Sequence, residues 1–150
     1  MRRLRVLAIA VATGRIGYVF LVGDQLKDWG LSRKASRNPK LAAVQANKWI
    51  TNLRPDIVVT EKVPPHSTKS AKTRSLIEAI QFVTAKANVL DMFVHHTSAF
   101  RNKYEEAKHL GERFPEIAAW VPRARRIWEP EPKNTVLFEA LALASVVTDS

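Results

Sequence analysis

The chain has 150 residues, 46% of them hydrophobic, enough to bury one substantial core and to exclude wholesale disorder. It has no cysteine, which excludes a disulfide framework and any Cys-ligated zinc or iron–sulfur site and fits a reducing cytoplasm. Its 24 Lys and Arg against 14 Asp and Glu give a net charge of +10, a balance that favours a polyanionic partner, nucleic acid before an anionic membrane surface.

MRRLRVLAIAVA has the basic start, short apolar run and small-x-small ending of a secretory signal. The run is short and an apolar strand resumes at once in GRIGYVFLV, so both are read as strands of an intracellular protein. No stretch reaches the ~20 apolar residues of a membrane helix. Val6–Ala12 and Ile16–Val22, apolar and β-branched around Thr13-Gly14-Arg15, predict a hairpin, and a third strand is expected around Leu26–Leu31.

Asn38-Pro39 reads as N-cap and first helical residue, with Ala42, Ala46, Trp49, Ile50 and Leu53 at helical spacing until Arg54-Pro55. Asp56–Val63 suits a buried parallel strand. HSTKSAKTR is a polar, basic connector to a second helix with Leu76, Ile77, Ile80 and Val83 inward. NVLDMFVHH is another strand; NKYEEAKHLGERF and PEIAAWV are helical, broken at Phe114-Pro115. After a rigid EPEPK loop comes a final helix, NTVLFEALALASVV, capped by Asn134 or Thr135. The order predicts one α/β domain over residues 1–150, a mixed sheet opening with a β-hairpin and flanked by helices, with no repeat or linker.

Two carboxylates stand in apolar company. Glu139 is the only ionisable residue of TVLFEALALASVV and shares a face with Val136, Leu143 and Val146. An unpaired carboxylate there is costly, so it needs a cation: a metal ion, or a basic side chain such as Arg125 or Arg126. Glu61 ends DIVVTE and points to the same side as Ile57 and Val59, at the carboxyl end of a strand, where α/β sheets place their sites. Its ordinary alternative is an ion pair with Lys62 or a nearby loop lysine.

This pattern resembles the RNase H-like superfamily, and within it the RuvC-type Holliday-junction resolvases and related nuclease domains. Members open with apolar-Asp-x-Gly-(Ser/Thr)-x-x-x-Gly-(Tyr/Trp); here IAVATGRIGY, Ile9–Tyr18, has Ala10 for the Asp and Ala12 for the first Gly, with Thr13, Gly17 and Tyr18 in place. The second family acid ends a strand after a Pro-Asp turn, as Glu61 does in RPDIVVTEKV. The third lies in a late helix reading Asp-Ala-Leu-Ala, here EALALA, Glu139–Ala144. The resemblance runs from Val6 to Val147, and departs again at Val136, where the family often has an acid or histidine.

The resemblance implies a metal-dependent, structure-selective endonuclease that cuts branched DNA with two Mg²⁺ or Mn²⁺ ions ~4 Å apart, held by shared carboxylates. The first-strand Asp would bridge them. With Ala10 in its place, Glu61 and Glu139 remain as metal ligands, and the chain is expected to bind DNA and scarcely cut it. Either the chain is a natural pseudo-nuclease, or Ala10 replaces an Asp removed to trap an uncleaved complex; carboxylates kept in apolar settings favour the second. The alternatives of the same fold are a non-catalytic nucleic-acid-binding domain and a nuclease acting on RNA–DNA hybrid. A resolvase would act as a homodimer, since two strands must be cut symmetrically.

The expected phosphate contacts are Arg15 in the hairpin turn, Lys69, Lys72 and Arg74 after Glu61, and Arg101 and Lys103 from a later loop. PRARRIW, Pro122–Trp128, is the densest basic cluster, with Trp128 read as packing. His66 is the reserve proton-transfer residue; His95 and His96 are read as structural.

Overall fold

A computed structural model describes residues 3–65, 67–95, 102–123 and 132–149. His66, His96, Arg101, Arg125, Arg126, Trp128 and most of the EPEPK loop lie outside the described residues. The strands are β1 (Arg5–Ala12), β2 (Arg15–Val22), β3 (Gln25–Ser32), β4 (Ile57–Glu61) and β5 (Leu90–Val94). The helices are α1 (Pro39–Leu53), α2 (Ala71–Lys86), α3 (Lys103–Arg113) and α4 (Thr135–Thr148), with 3-10 turns at Lys34–Ser36 and Pro115–Trp120.

The sheet runs β3-β2-β1-β4-β5. Its first half is an antiparallel meander: β1 pairs β2 from Arg5↔Val22 to Ala12↔Arg15, and β2 pairs β3. Gly14 turns the hairpin at φ 80°, a left-handed geometry that glycine adopts without a Cβ clash. The second half is parallel, with β4 beside β1 and β5 beside β4. Strand β1 is therefore central. Both its faces are covered, which is why it reads as an unbroken apolar run rather than an alternating one.

On one face Val6, Ala8, Ala10, Val19, Leu21, Ile57 and Val59 form a core with α3 and α4. On the other, Leu7, Ile9, Val11, Phe20 and Val58 pack with α1 and α2. Helix α1 starts as its sequence dictates: Asn38 Oδ1 accepts from the Leu41 amide at 2.9 Å, with Pro39 first in the helix. Helix α2 begins at Ala71, inside the stretch expected to be a connector, because Ser70 Oγ caps the Thr73 amide at 3.1 Å. Lys72 and Arg74 thus belong to its first turn. In α4 burial runs through Ser145, while Val146, on the face of Glu139, is 45% exposed. Asn134 stands at the α4 cap position without a side-chain capping bond. Among the described residues no helix is long and apolar enough to cross a membrane.

Tyr18 joins the two halves of the α1 face. Its ring lies 4.6 Å from that of Trp49, and its hydroxyl donates to Asp28 Oδ2 at 3.0 Å. Burial, then the hydrogen bond and charge of Asp28, push the phenol well above its ordinary value of 10.0. With the folded value raised, this contribution to stability is complete below pH 10 and is lost as pH climbs through the folded value. Alkaline unfolding followed by circular dichroism should therefore show falling stability above pH 10, and Tyr18→Phe should flatten that limb. An unchanged slope in the variant would assign the alkaline loss elsewhere.

Candidate functional site

The site is assembled where β1, β4, α2, α3 and α4 meet. Ala10 and Gly17 are partners in the β1–β2 ladder, and α4 lies directly over them. A Cβ built on Gly17 would stand 2.8 Å from Val136 Cγ1, so this approach of helix to sheet requires glycine. One turn along α4, Glu139 emerges half-buried from an otherwise buried run.

Glu61 closes β4 on the same face as Ile57 and Val59, which pack in the α4 core. The strand end is pinned from α2: Gln81 Nε2 donates to the Glu61 carbonyl at 3.1 Å and to Thr60 Oγ1 at 3.2 Å. The Glu61 carboxylate takes Lys69 Nζ at 3.3 Å, both side chains about 30% exposed. The loop-lysine alternative is the one observed, with Lys69 as the partner; Lys62, next in chain after Glu61, faces solvent.

Lys69 is held from both sides. Its amide donates to Ser67 Oγ at 3.2 Å, and its neighbour Ser70 caps α2. Ser67 in turn donates its amide to the Pro64 carbonyl and accepts from Arg74 Nη2 at 2.5 Å. Arg74 thereby braces this loop, and it lines a separate hollow with Val63, Pro64 and Phe93.

Lys69 also lines a cleft of about 380 Å³, together with Val11, Ala12, Thr13, Thr68, Ser70, Thr73, Lys103 and Glu139. The structure thus brings Glu61, Lys69, Lys103 and Glu139 into one neighbourhood, with Lys69 the link between the two carboxylates. Arg15 is half-buried opposite Ala12 in the ladder, at the hairpin end of this region. Lys72 is exposed on α2 and does not line the cleft. His95 is exposed just past β5. Ala10 itself does not line the cleft and is 4% exposed. The hydroxyl residues between the connector's basic side chains, Thr68, Ser70 and Thr73, line the cleft with Thr13 of the hairpin motif, and the Ser70-x-x-Thr73 spacing is a capping signal.

The cleft's electrostatics suit an anion. Helix α2 opens at it with no acidic residue in its first turn, leaving the partial positive charge of its amides uncompensated there. Lys69 and Lys103 add full charges, set against the carboxylates of Glu139 in the lining and of Glu61 on Lys69. A pair of divalent cations fits less well. Magnesium takes a near-octahedral shell of hard oxygens, much of it water, and among the described residues no three His, Asp or Glu side chains gather to anchor a pair of ions. One of the two carboxylates already faces an ammonium.

No protein-family model and no curated protein sequence matches the chain. Solved structures do. RuvC of Thermus thermophilus superposes with a TM-score of 0.65 at 15% identity, over 94% of this chain and 91% of that one. The fowlpox virus Holliday junction resolvase gives 0.62 at 12% identity, over 97% and 99% of the two chains. The fold is the RNase H-like fold of RuvC type. The yeast mitochondrial Holliday junction resolvase agrees, at 0.64 and 12% identity, over 98% of this chain and 80% of that one. The RuvC and fowlpox proteins have also been solved with Holliday junction DNA. The mixed α/β sheet expected from the sequence, with its opening hairpin, is the one present.

Proposed function

We propose that this chain recognises branched DNA through the cleft between β1, α2, α3 and α4, as a homodimer on a symmetric junction. The observation that carries the reading is one anion-suited cleft, with Lys69, Lys103 and the open end of α2, on a RuvC-type fold. Lys69 and Lys103 would pair with backbone phosphates, while the hydroxyls of Thr13 and Thr68 and the amides opening α2 would donate to phosphate oxygens. None of these groups reads a base edge, so selectivity would come from the shape of the junction rather than its sequence.

Metal-dependent cleavage is the second reading, favoured by the retention of Glu61 and Glu139 on the α4 side of the sheet. Glu61 and Glu139 are the residues that would hold a divalent ion, whose contribution would be Lewis acidity at the phosphodiester.

Fluorescence anisotropy with a four-way junction, a duplex and an RNA–DNA hybrid of matched sequence tests the first reading. The junction should bind tightest, with affinity falling steeply with salt, and Lys103→Ala should lower the salt slope by about 1. Equal affinity for all three nucleic acids, or binding indifferent to salt, would overturn it. Sedimentation of the junction complex should show two copies per junction.

A further inference from the structure

We infer that the carboxylate centre is built to work without a divalent cation: the Lys69 ammonium holds the cation's place at Glu61, and Val136 seals the corner above Ala10 and Gly17. The inference rests on the DNA-binding reading for the purpose it assigns to the centre, and on the geometry alone for the centre itself.

Negative charge beside a phosphate path repels the path. A protein that keeps Glu61 and Glu139 near one must neutralise them. Lys69 does this for Glu61 at 3.3 Å. The contact is not an idle surface pair, since both residues are fixed through their backbones. Gln81 ties down the Glu61 carbonyl, while Ser67 and the α2 cap at Ser70 set the course of the chain through Lys69. Arg74 then braces Ser67 from the helix side. A divalent ion entering here would meet the ammonium first, and would have to displace it to reach Glu61.

The opposite corner is closed by packing. Ala10 is 4% exposed and Val136 fully buried, and Val136 sits so close over Gly17 that no Cβ fits beneath it. A carboxylate at position 10 would enter this apolar layer, where an unpaired charge is costly. Gly17 stands where the resembled family also has glycine, so the departures at this corner are Ala10 and Val136, which share one apolar layer, while Lys69 occupies Glu61. Two departures in one layer favour the natural pseudo-nuclease, the first of the two origins open to Ala10. In this reading Lys69 is a positioning residue that serves two anions, the Glu61 carboxylate and the incoming phosphate.

Two measurements on the whole chain test it. In the first, the DNA-free protein is titrated with Mn²⁺ and the free ion is followed by electron paramagnetic resonance. The wild type should leave the signal of free Mn²⁺ unchanged at millimolar ion; stoichiometric depletion would overturn the inference. In the second, junction affinity is compared in EDTA and in Mg²⁺ at matched ionic strength. The wild type should bind equally in both, Lys69→Met should lose about tenfold in EDTA, and Lys69→Arg should keep most of the affinity. A wild type that needs Mg²⁺ to bind, or a Lys69→Met variant indistinguishable from it, would overturn the inference. Failure to bind a junction in either buffer would sink the DNA reading instead, and the Mn²⁺ titration would still judge the centre.

Discussion

Ala10→Asp should lower the melting temperature by roughly 10 °C and should not, alone, yield a nuclease. The magnitude follows from burying a carboxylate with no partner, about 3–5 kcal/mol, at about 2–4 °C per kcal/mol for a domain of this size. Ala10 is 4% exposed and shares its apolar core with Val6, Ala8, Val136 and Leu137. Thermal unfolding with and without Mg²⁺ measures the first half of the expectation. Cleavage assays on four-way junction, duplex, flap and RNA–DNA hybrid measure the second. A stable variant that cuts a junction with Mg²⁺, and loses that activity on Glu61→Gln or Glu139→Gln, would make the chain a resolvase short of one ligand. The metal-free reading of its centre would then fall.

Gly17→Ala should be the next most damaging change, although it adds a single methyl group. In an unhindered strand alanine would stabilise slightly over glycine by reducing unfolded-chain entropy. Here the new Cβ meets both Val136 methyl groups, at 2.8 and 3.3 Å, with the Val136 carbonyl carbon 3.5 Å away. The helix must lift or the strand must bend, at a cost of about 1–3 kcal/mol. Val136→Ala alone leaves a cavity and costs a similar amount, yet the double variant should lose less than the two losses combined. Urea unfolding of the four proteins gives the coupling directly. Simple additivity would mean that this contact does not set the seat of α4.

Much of this architecture was legible from local chemistry. The β-branched runs around Gly14, the Asn38-Pro39 start of α1 and the proline before β4 each state their element in a few residues. The α4 segment announced its burial by being apolar on nearly every side, and Glu139 stood out against it. What stayed hidden depended on contacts between distant segments. That Lys69 rather than Lys62 meets Glu61 follows from a loop geometry set by Ser67, Ser70 and Arg74, which no periodicity encodes. The first turn of α2 was read as connector because Lys72 and Arg74 carry no apolar pattern, and Ser70 alone marks the start. The resemblance places Ala10 where a metal-bridging Asp would stand; that Val136, from the other end of the chain, packs over its ladder partner Gly17 is a contact no local pattern encodes.

The division of the sheet at β1 bears on the order in which the molecule takes shape. The β1-β2-β3 meander joins neighbours in sequence through tight turns, so its pairings close short loops. The parallel half does not: the Arg5 amide reaches Asp56 Oδ2 across 51 positions, and α4 returns to β1 from farther still. Contacts of such range close the longest loops and carry the larger closure entropy. The cleft lies on the parallel side of that divide, roofed by α4 and floored by β1. The cleft takes its lining from β1, the α2 start, α3 and Glu139 of α4, so it is complete only when the last helix has docked.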